Sequence, residues 1–263
     1  MAIAVSSNHE QLRAASFISR YTRNMESSVG KLTSGTRLNS AADDPAGIVA
    51  ASRLKTQSRT LNQASTNAQN AAAVAKAADG AYGNAIEILQ RMKEIATEAT
   101  DTTLEDRGGL EEEFKALNSR LSNIGSMSYG GQKLFKEYSL QIGDNASMSI
   151  TMNLASNAPS SISGSVSDAT NAKTAISTID TQLTTLSKAQ GKAGGWENAL
   201  GYITDNLATD SSNFNSSYHM MADTNIASEM TDYVQNNIAM QSAQLILAQR
   251  NQSAYSVLNL LNP

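Results

Sequence analysis

Residues that could carry out chemistry are few in this chain and stand far apart. It contains two histidines, His9 and His219, and no cysteine. Zinc sites and activated nucleophiles need several ligands, or a base oriented by a neighbour, within one cluster. We therefore expect neither histidine to be catalytic or to bind a metal.

Two other stretches have the composition of a ligand site without its spacing. The pair Asp43-Asp44 could contribute to a cation site, but it directly precedes Pro45, an arrangement typical of a helix start with a capping carboxylate. The segment from Lys188 to Gly195 is rich in glycine and lysine, yet it lacks the G-x-x-x-x-G-K-[ST] spacing of a phosphate-binding loop. We expect no catalytic residues, no cofactor site and no metal site, and so no enzyme.

Composition narrows the class of protein further. The chain has 263 residues, of which 40% are hydrophobic and only 5% aromatic, and it contains three prolines. This favours long helices with polar outer faces over a compact enzyme core. A net charge of −4 with no run of basic residues argues against a nucleic-acid partner. We also expect no membrane span and no cleaved secretory signal at the N-terminus, and therefore a soluble chain that does not use the general secretory route.

The longest predicted element is a single helix that carries a stripe of small apolar side chains. Between residues 61 and 99, small apolar residues recur in alternating steps of three and four, which keeps a single stripe of the helix facing a partner. Asp44-Pro45 marks its start, and the pattern continues to about residue 101. We call this stripe the alanine seam; it comprises Leu61, Ala64, Ala68, Ala71, Ala75, Ala78, Tyr82, Ala85, Leu89, Met92, Ala96 and Ala99.

Shorter patterns surround the seam. Amphipathic helices are predicted from about Glu10 to Leu32, after Gly108-Gly109, from about residue 176, and from about residue 226 to the end. Alternating apolar residues predict a β-hairpin near 134–154, and the serine-rich stretch 155–168 is expected to be an exposed loop or a short irregular insert. The predicted fold is mainly α: a long antiparallel coiled-coil rod with one small β-hairpin and paired N- and C-terminal helices.

The first and last helices have too few partners within one chain. Two amphipathic helices side by side bury only part of their apolar stripes, so we expect them to order when other copies cover them. The residues predicted to make these assembly contacts are Ile18, Tyr21, Met25, Val29, Leu32, Ile238, Leu245, Leu258 and Leu261.

Three motifs give the chain a family resemblance. The stretch from Leu32 to Gly47, LTSGTRLNSAADDPAG, resembles the L-S-S-G-x-R-I-N-S-A-x-D-D-A-A-G motif of bacterial flagellins. Residues 61–70, LNQASTNAQN, resemble the family's G-L-x-Q-A-x-x-N-A-x-D/N stretch. Residues 247–261 are similar to its L-A-Q-A-N-Q…V-L-x-L-L ending. The matches lie in the same order as in the family and near both ends of the chain.

The resemblance implies a structural subunit that polymerises into the extracellular flagellar filament for swimming motility. It implies a short form without outer variable domains. Residues 1–46 and 216–263 would form the inner tube and stay disordered until assembly, and residues 47–215 would form the rod domain. Export would use the flagellar type III channel without a cleaved signal peptide. The implied partners are other copies of the chain, an export chaperone at the C-terminal helix, and the filament cap and hook-junction proteins.

Residues 89–96, LQRMKEIA, are similar to the L-Q-R-V-R-E-L-A segment of flagellins that a Toll-like receptor detects. By this resemblance, Arg91, Ile95 and Glu113 would form a surface free to meet a receptor or the next subunit. Two other identities stay open. A hook–filament junction-type axial protein would share the terminal helices, but the ending favours a flagellin. A non-flagellar signalling coiled coil would not explain the hairpin.

Overall fold

A computed structural model describes residues 2–103, 106–145 and 147–261. The chain divides into a terminal unit, Met1–Thr56 with Phe214–Pro263, and a central unit, Gln57–Asn213. The described elements are five α-helices, two small antiparallel sheets and a 3₁₀ turn at Ala155–Asn157. In chain order they are α1 Ala2–Ser34, α2 Pro45–Glu98, α3 Gly108–Gly125, β1 Ser128–Tyr129, β2 Gln132–Lys133, β3 Glu137–Gln141, β4 Ser149–Asn153, α4 Ala169–Ala222 and α5 Ile226–Leu261.

Three helices begin at a side-chain cap. Asp44 Oδ1 accepts the backbone N–H of Gly47 at 2.9 Å, which confirms the predicted start of α2 at Pro45. Asp168 caps α4, and Asn225 caps α5, each by accepting two backbone N–H groups of the first turn. These caps satisfy donors that a helix start leaves without intrahelical partners.

The alanine seam is the spine of the central unit, and all twelve of its residues are at most 6% exposed. Ser58 lies against Ser211, with their Oγ atoms 3.1 Å apart, and Lys93 Nζ lies 2.6 Å from Asp180 Oδ1. Because residue numbers fall on α4 as they rise on α2, the two helices run antiparallel. The predicted mainly α fold with antiparallel helices is confirmed.

The predicted β-hairpin is present as β3 and β4. Tyr138 pairs with Met152 and Leu140 with Ile150, which places these apolar residues on one face. The backbone N–H of Ile142 donates to the carbonyl of Met148 and extends the ladder towards the turn. A second, shorter hairpin joins β1 to β2 through Gly130 and Gly131. Both glycines have positive φ (58° and 79°), as a two-residue hairpin turn requires.

The stretch 155–168 is irregular apart from the 3₁₀ turn, but it is not exposed throughout. Ile162 and Val166 are buried within it. The Asn118 side chain of α3 pairs with both backbone groups of Ile162: Nδ2 donates to its carbonyl at 3.0 Å, and Oδ1 accepts its N–H at 2.7 Å. The Glu111 carboxylate accepts the backbone N–H of Val166 at 2.6 Å. These two α3 side chains take the place of a strand partner and let irregular backbone enter the core.

In the terminal unit, α1 and α5 pair antiparallel, as the sequence predicts. Gln11 donates to Asn251 at 3.0 Å near one end of the pair, and Lys31 approaches Glu229 at 3.8 Å near the other. Thr22 lies 3.8 Å from the Met240 sulfur between them. These contacts are polar and widely spaced, so they align the helices without forming a core. In the described part of the chain, no helix is long and apolar enough to cross a membrane.

Candidate assembly surfaces

Burial is distributed very unequally between the two units. Of the 34 buried apolar residues among the described side chains, only Ala51 and Ala222 belong to the terminal unit. Exposure shows the reverse pattern, because eleven of the fifteen exposed large apolar side chains lie in the terminal unit. They are Leu12, Phe17, Val29, Val49, Met220, Ile226, Met230, Val234, Ile238, Leu245 and Ile246.

Four of these residues form a row on α5, which we call the α5 row: Ile226, Met230, Val234 and Ile238. Steps of four residues keep side chains on one face of a helix. Met230 also lines an open groove between α1 and α5, together with Val29, Leu32, Thr33 and Tyr233.

The predicted assembly residues fall into three groups. Ile18, Tyr21, Met25 and Leu32 are half-buried on α1. Val29, Ile238 and Leu245 are exposed. Leu258 and Leu261 belong to α5, but their side chains lie outside the described residues.

Sequence reasoning did not include Ile226, Met230 or Val234 among the assembly residues. Their four-residue spacing with Ile238 was the signal that could have identified them.

The connector α1–α2 is joined to the connector α4–α5 by backbone hydrogen bonds. Thr36 forms an antiparallel bridge with Asp223, and the Arg37 N–H donates to the Ala222 carbonyl at 2.7 Å. The Arg37 guanidinium also donates to the Met221 carbonyl at 3.0 Å. Gly35, with φ of 70°, allows the chain to leave α1 in the required direction. We call this set of contacts the junction. Arg37 serves it twice, because both its backbone and its guanidinium donate to carbonyls at the end of α4.

The acidic pair beside this junction binds backbone. Asp43 Oδ2 accepts the N–H groups of Ser40 and Asn39 at 2.8 and 3.1 Å, and these bonds lower the pKa of Asp43. Asp44 is the cap of α2. No group of three or more potential ligands capable of holding a metal occurs in the described part of the chain.

The histidines also lie apart in the structure. His219 Nδ1 lies 3.0 Å from an Asp223 carboxylate oxygen, one helical turn away, and its ring meets the Tyr218 ring edge-on. His9 is exposed on α1. Neither arrangement places a nucleophile beside a base.

An exposed ion-pair cluster lies on the central unit where α2 faces α3. The Arg91 guanidinium donates to Glu113 at 2.9 Å and to Glu94 at 3.0 Å. Hydrogen bonding to Glu94 and Glu113 raises the pKa of Arg91. All three side chains remain substantially exposed. The cluster joins two helices and presents both signs of charge.

Ile95 does not share this surface, contrary to our expectation. It is only 1% exposed. The reason is a second row of apolar residues that precedes seam residues by one position and recurs every seven residues: Val74, Ala81, Ile88 and Ile95. Val74, Ala81 and Ile95 are buried, and Ile88 packs partly buried against the same core. The apolar stripe of α2 is therefore two residues wide.

Comparison with family models gives two matches that together cover most of the chain. Residues 5–139 match the bacterial flagellin N-terminal helical region, and residues 176–261 match the bacterial flagellin C-terminal helical region.

Individual relatives agree with these matches. A flagellin of Halalkalibacterium halodurans is 33% identical over 243 residues, covering 88% of this chain and 89% of the relative. A flagellin of Bacillus subtilis is 29% identical, with 95% of each chain covered. Among solved structures, a Bacillus cereus flagellin aligns with a TM-score of 0.49 and 22% identity, covering 54% of this chain and 88% of that one.

Proposed function

The chain belongs to the bacterial flagellin family, and we propose that its terminal unit supplies the contacts through which its copies polymerise. As a flagellin, the chain is a structural subunit of the extracellular flagellar filament that drives swimming, and not an enzyme. The flagellin matches do not favour the two alternatives, a junction-type axial protein and a signalling coiled coil. The proposal concerns which residues assemble.

The unequal burial of apolar residues carries the proposal. The described part of the α1–α5 pair buries no apolar residue and exposes nine large ones, so this pair gains little from folding alone. Covering those residues with other copies supplies the missing burial, and an asymmetric contact that does not close generates an open helical polymer. We propose that residues 1–46 and 216–263 form the inner tube and order on assembly. Residues 47–215 would form the domain that holds a core beforehand.

Substitution of exposed apolar residues on α5 tests this proposal. Ile238 and Leu245 are 60% and 72% exposed, so Ile238→Gln with Leu245→Gln removes apolar surface without opening a cavity. Burying each side chain is worth roughly 2 kcal/mol, so we expect the critical concentration for polymerisation to rise more than tenfold. Sedimentation of seeded filaments measures this concentration.

Tyr202→Gln is the matched control, since Tyr202 is 73% exposed on α4 in the central unit. We expect it to polymerise close to wild type, and circular dichroism should show equal helix content in all three monomers. Wild-type polymerisation by the double variant would contradict the proposal. If Tyr202→Gln raised the critical concentration as much as the double variant, the effect would not be specific to the terminal unit.

The same exposed apolar surface supports proposals about partners. Before export it would promote premature association, so we propose that a flagellar export chaperone covers α5 in the cytoplasm. We further propose that the filament cap and hook-junction proteins meet the terminal helices at the two filament ends. We also propose that the chain is exported by the flagellar type III route without a cleaved signal.

A receptor role is proposed for the exposed ion-pair cluster. Arg91 and Glu113 are accessible in one chain, whereas the buried Ile95 would contribute only by supporting α2 from below. We expect Arg91→Ala to reduce monomer signalling in a Toll-like-receptor reporter assay. Lys115→Ala, which removes another exposed ion pair on α3, is the control. Equal signalling by Arg91→Ala and wild type would overturn this role.

A further inference from the structure

The assembly surface contains an oxidisable sulfur. Met230 lies in the middle of the α5 row and lines the groove against Val29 and Leu32 of α1. It is 45% exposed, so small oxidants reach its thioether in the unassembled chain. Met92 and Met152, by contrast, are fully buried in the central unit.

We propose that Met230 is an oxidation site that controls assembly, with a peroxide as the oxidant. The inference rests on the proposed function, since it matters only if the α5 row is covered by a second copy. The sulfur attacks one peroxide oxygen, the O–O bond breaks, and an S=O bond forms. The other oxygen leaves as water, so the sulfur loses two electrons and the peroxide gains them.

The consequence follows from the neighbours of Met230. A thioether is apolar, whereas a sulfoxide is a polar hydrogen-bond acceptor. In the monomer the new oxygen points into water at little cost. In a filament it would be enclosed among the α5 row and the α1 side of the groove, where Val29 and Leu32 are apolar. The Thr33 hydroxyl in this groove already donates to the Val29 carbonyl at 2.7 Å, which leaves Tyr233 as the remaining lining hydroxyl, so enclosing the new oxygen is costly. Oxidation therefore penalises the assembled state selectively.

Two other exposed methionines serve as controls. Met148 is 48% exposed at the end of the β3–β4 hairpin, nearly the same as Met230, but lies in the central unit. Met220 is 88% exposed on the last turn of α4 and is not part of the α5 row. Because Met220 is more exposed than Met230, we expect it to oxidise first. The rate of oxidation and the effect on assembly are therefore expected at different methionines.

The experiment treats full-length monomer with dilute hydrogen peroxide, quantifies each sulfoxide by peptide mass spectrometry, and measures the critical concentration. We expect oxidised wild type to require about tenfold more protein to polymerise. Oxidised Met230→Leu should keep its unoxidised value, whereas oxidised Met148→Leu and Met220→Leu should be inhibited like wild type. Sulfoxide reductases acting on both epimers should restore wild type. Met230→Gln should reproduce the inhibition without oxidant.

Inhibition of oxidised Met230→Leu as strong as that of wild type would overturn the inference, as would protection by Met220→Leu. A second measurement uses assembled filaments, in which we expect Met230 to oxidise at least tenfold more slowly than in monomer. An unchanged rate would also overturn it. Wild-type polymerisation by the unoxidised Ile238→Gln, Leu245→Gln variant would contradict the proposed function itself, and this result is distinguishable because it needs no oxidant.

Discussion

At the residue scale, the polar groups that first suggested chemistry bind main chain instead. Asp43 and Asp44 accept backbone N–H groups around the start of α2, and Asn118 and Glu111 hold the buried stretch near Ile162. Such bonds satisfy backbone donors and acceptors where no strand or helix partner exists. These three carboxylates therefore act as acceptors for the backbone.

Tyr82 provides a pH test of the core. It is 1% exposed in the alanine seam and contacts Phe135, with ring centroids 5.1 Å apart. Burial raises its pKa from 10.0 to about 12, because the phenolate is disfavoured away from water. Folding stability from this group is complete below pH 10 and is lost as the pH rises from 10 towards 12. The loss approaches about 3 kcal/mol above that range.

We expect Tyr82→Phe to show a smaller decline of unfolding free energy between pH 9 and 12 than wild type, measured by urea denaturation. The exposed Tyr202→Phe is the control and should decline like wild type. Equal alkaline sensitivity of Tyr82→Phe and wild type would show that Tyr82 ionises freely.

At the element scale, periodicity determines how much of the fold can be predicted from sequence. The alanine seam and the β3–β4 hairpin were predictable because repeats of 3.5 and 2 residues are local signals. The burial of Ile162 within 155–168 was not, since it depends on Asn118, 44 residues away. The predicted assembly residues stay a prediction: Val29, Ile238 and Leu245 are exposed, which is compatible with it, whereas Ile95 is buried and does not belong to a surface. Ile95 belongs to a row of apolar residues that recurs every seven positions. This row was visible in the sequence, but the prediction assumed that the helix has a single apolar stripe.

The contact between α3 and the following irregular stretch is tight at one glycine. A Cβ added to Gly125, the last residue of α3, would lie 1.9 Å from the Pro159 carbonyl oxygen. Backbone would have to move, so we expect Gly125→Ala to lower the free energy of unfolding by about 1–3 kcal/mol. Chemical denaturation of the monomer measures it.

Gly109→Ala is the control on the same helix, because a Cβ at Gly109 meets nothing within 4 Å. Alanine is the better helix former, so this variant should be neutral or more stable by up to about 1 kcal/mol. Comparable destabilisation by both substitutions would point to a general need for glycine in α3 instead of the Pro159 contact.

At the scale of the whole molecule, the two units differ in burial, which supports the proposal that one folds by itself and the other assembles. The central unit buries nearly all of the buried apolar residues, so its stability is intrinsic to one chain. The terminal unit has long capped helices whose apolar residues remain largely exposed, so its stability depends on concentration and neighbours. This division is what the proposed ordering of residues 1–46 and 216–263 on assembly requires.

Hydrogen exchange followed by mass spectrometry tests that division directly. In the monomer, we expect peptides from 11–34 and 226–253 to exchange at the earliest times, while those from 61–99 stay protected, because exchange follows local stability. In filaments, both groups should be protected, with the largest gain in the α1 and α5 peptides. The seam peptides serve as the internal control for intrinsic exchange and back-exchange. Monomer α1 and α5 amides as protected as the seam would mean that the terminal helices fold without partners, and ordering on assembly would be wrong.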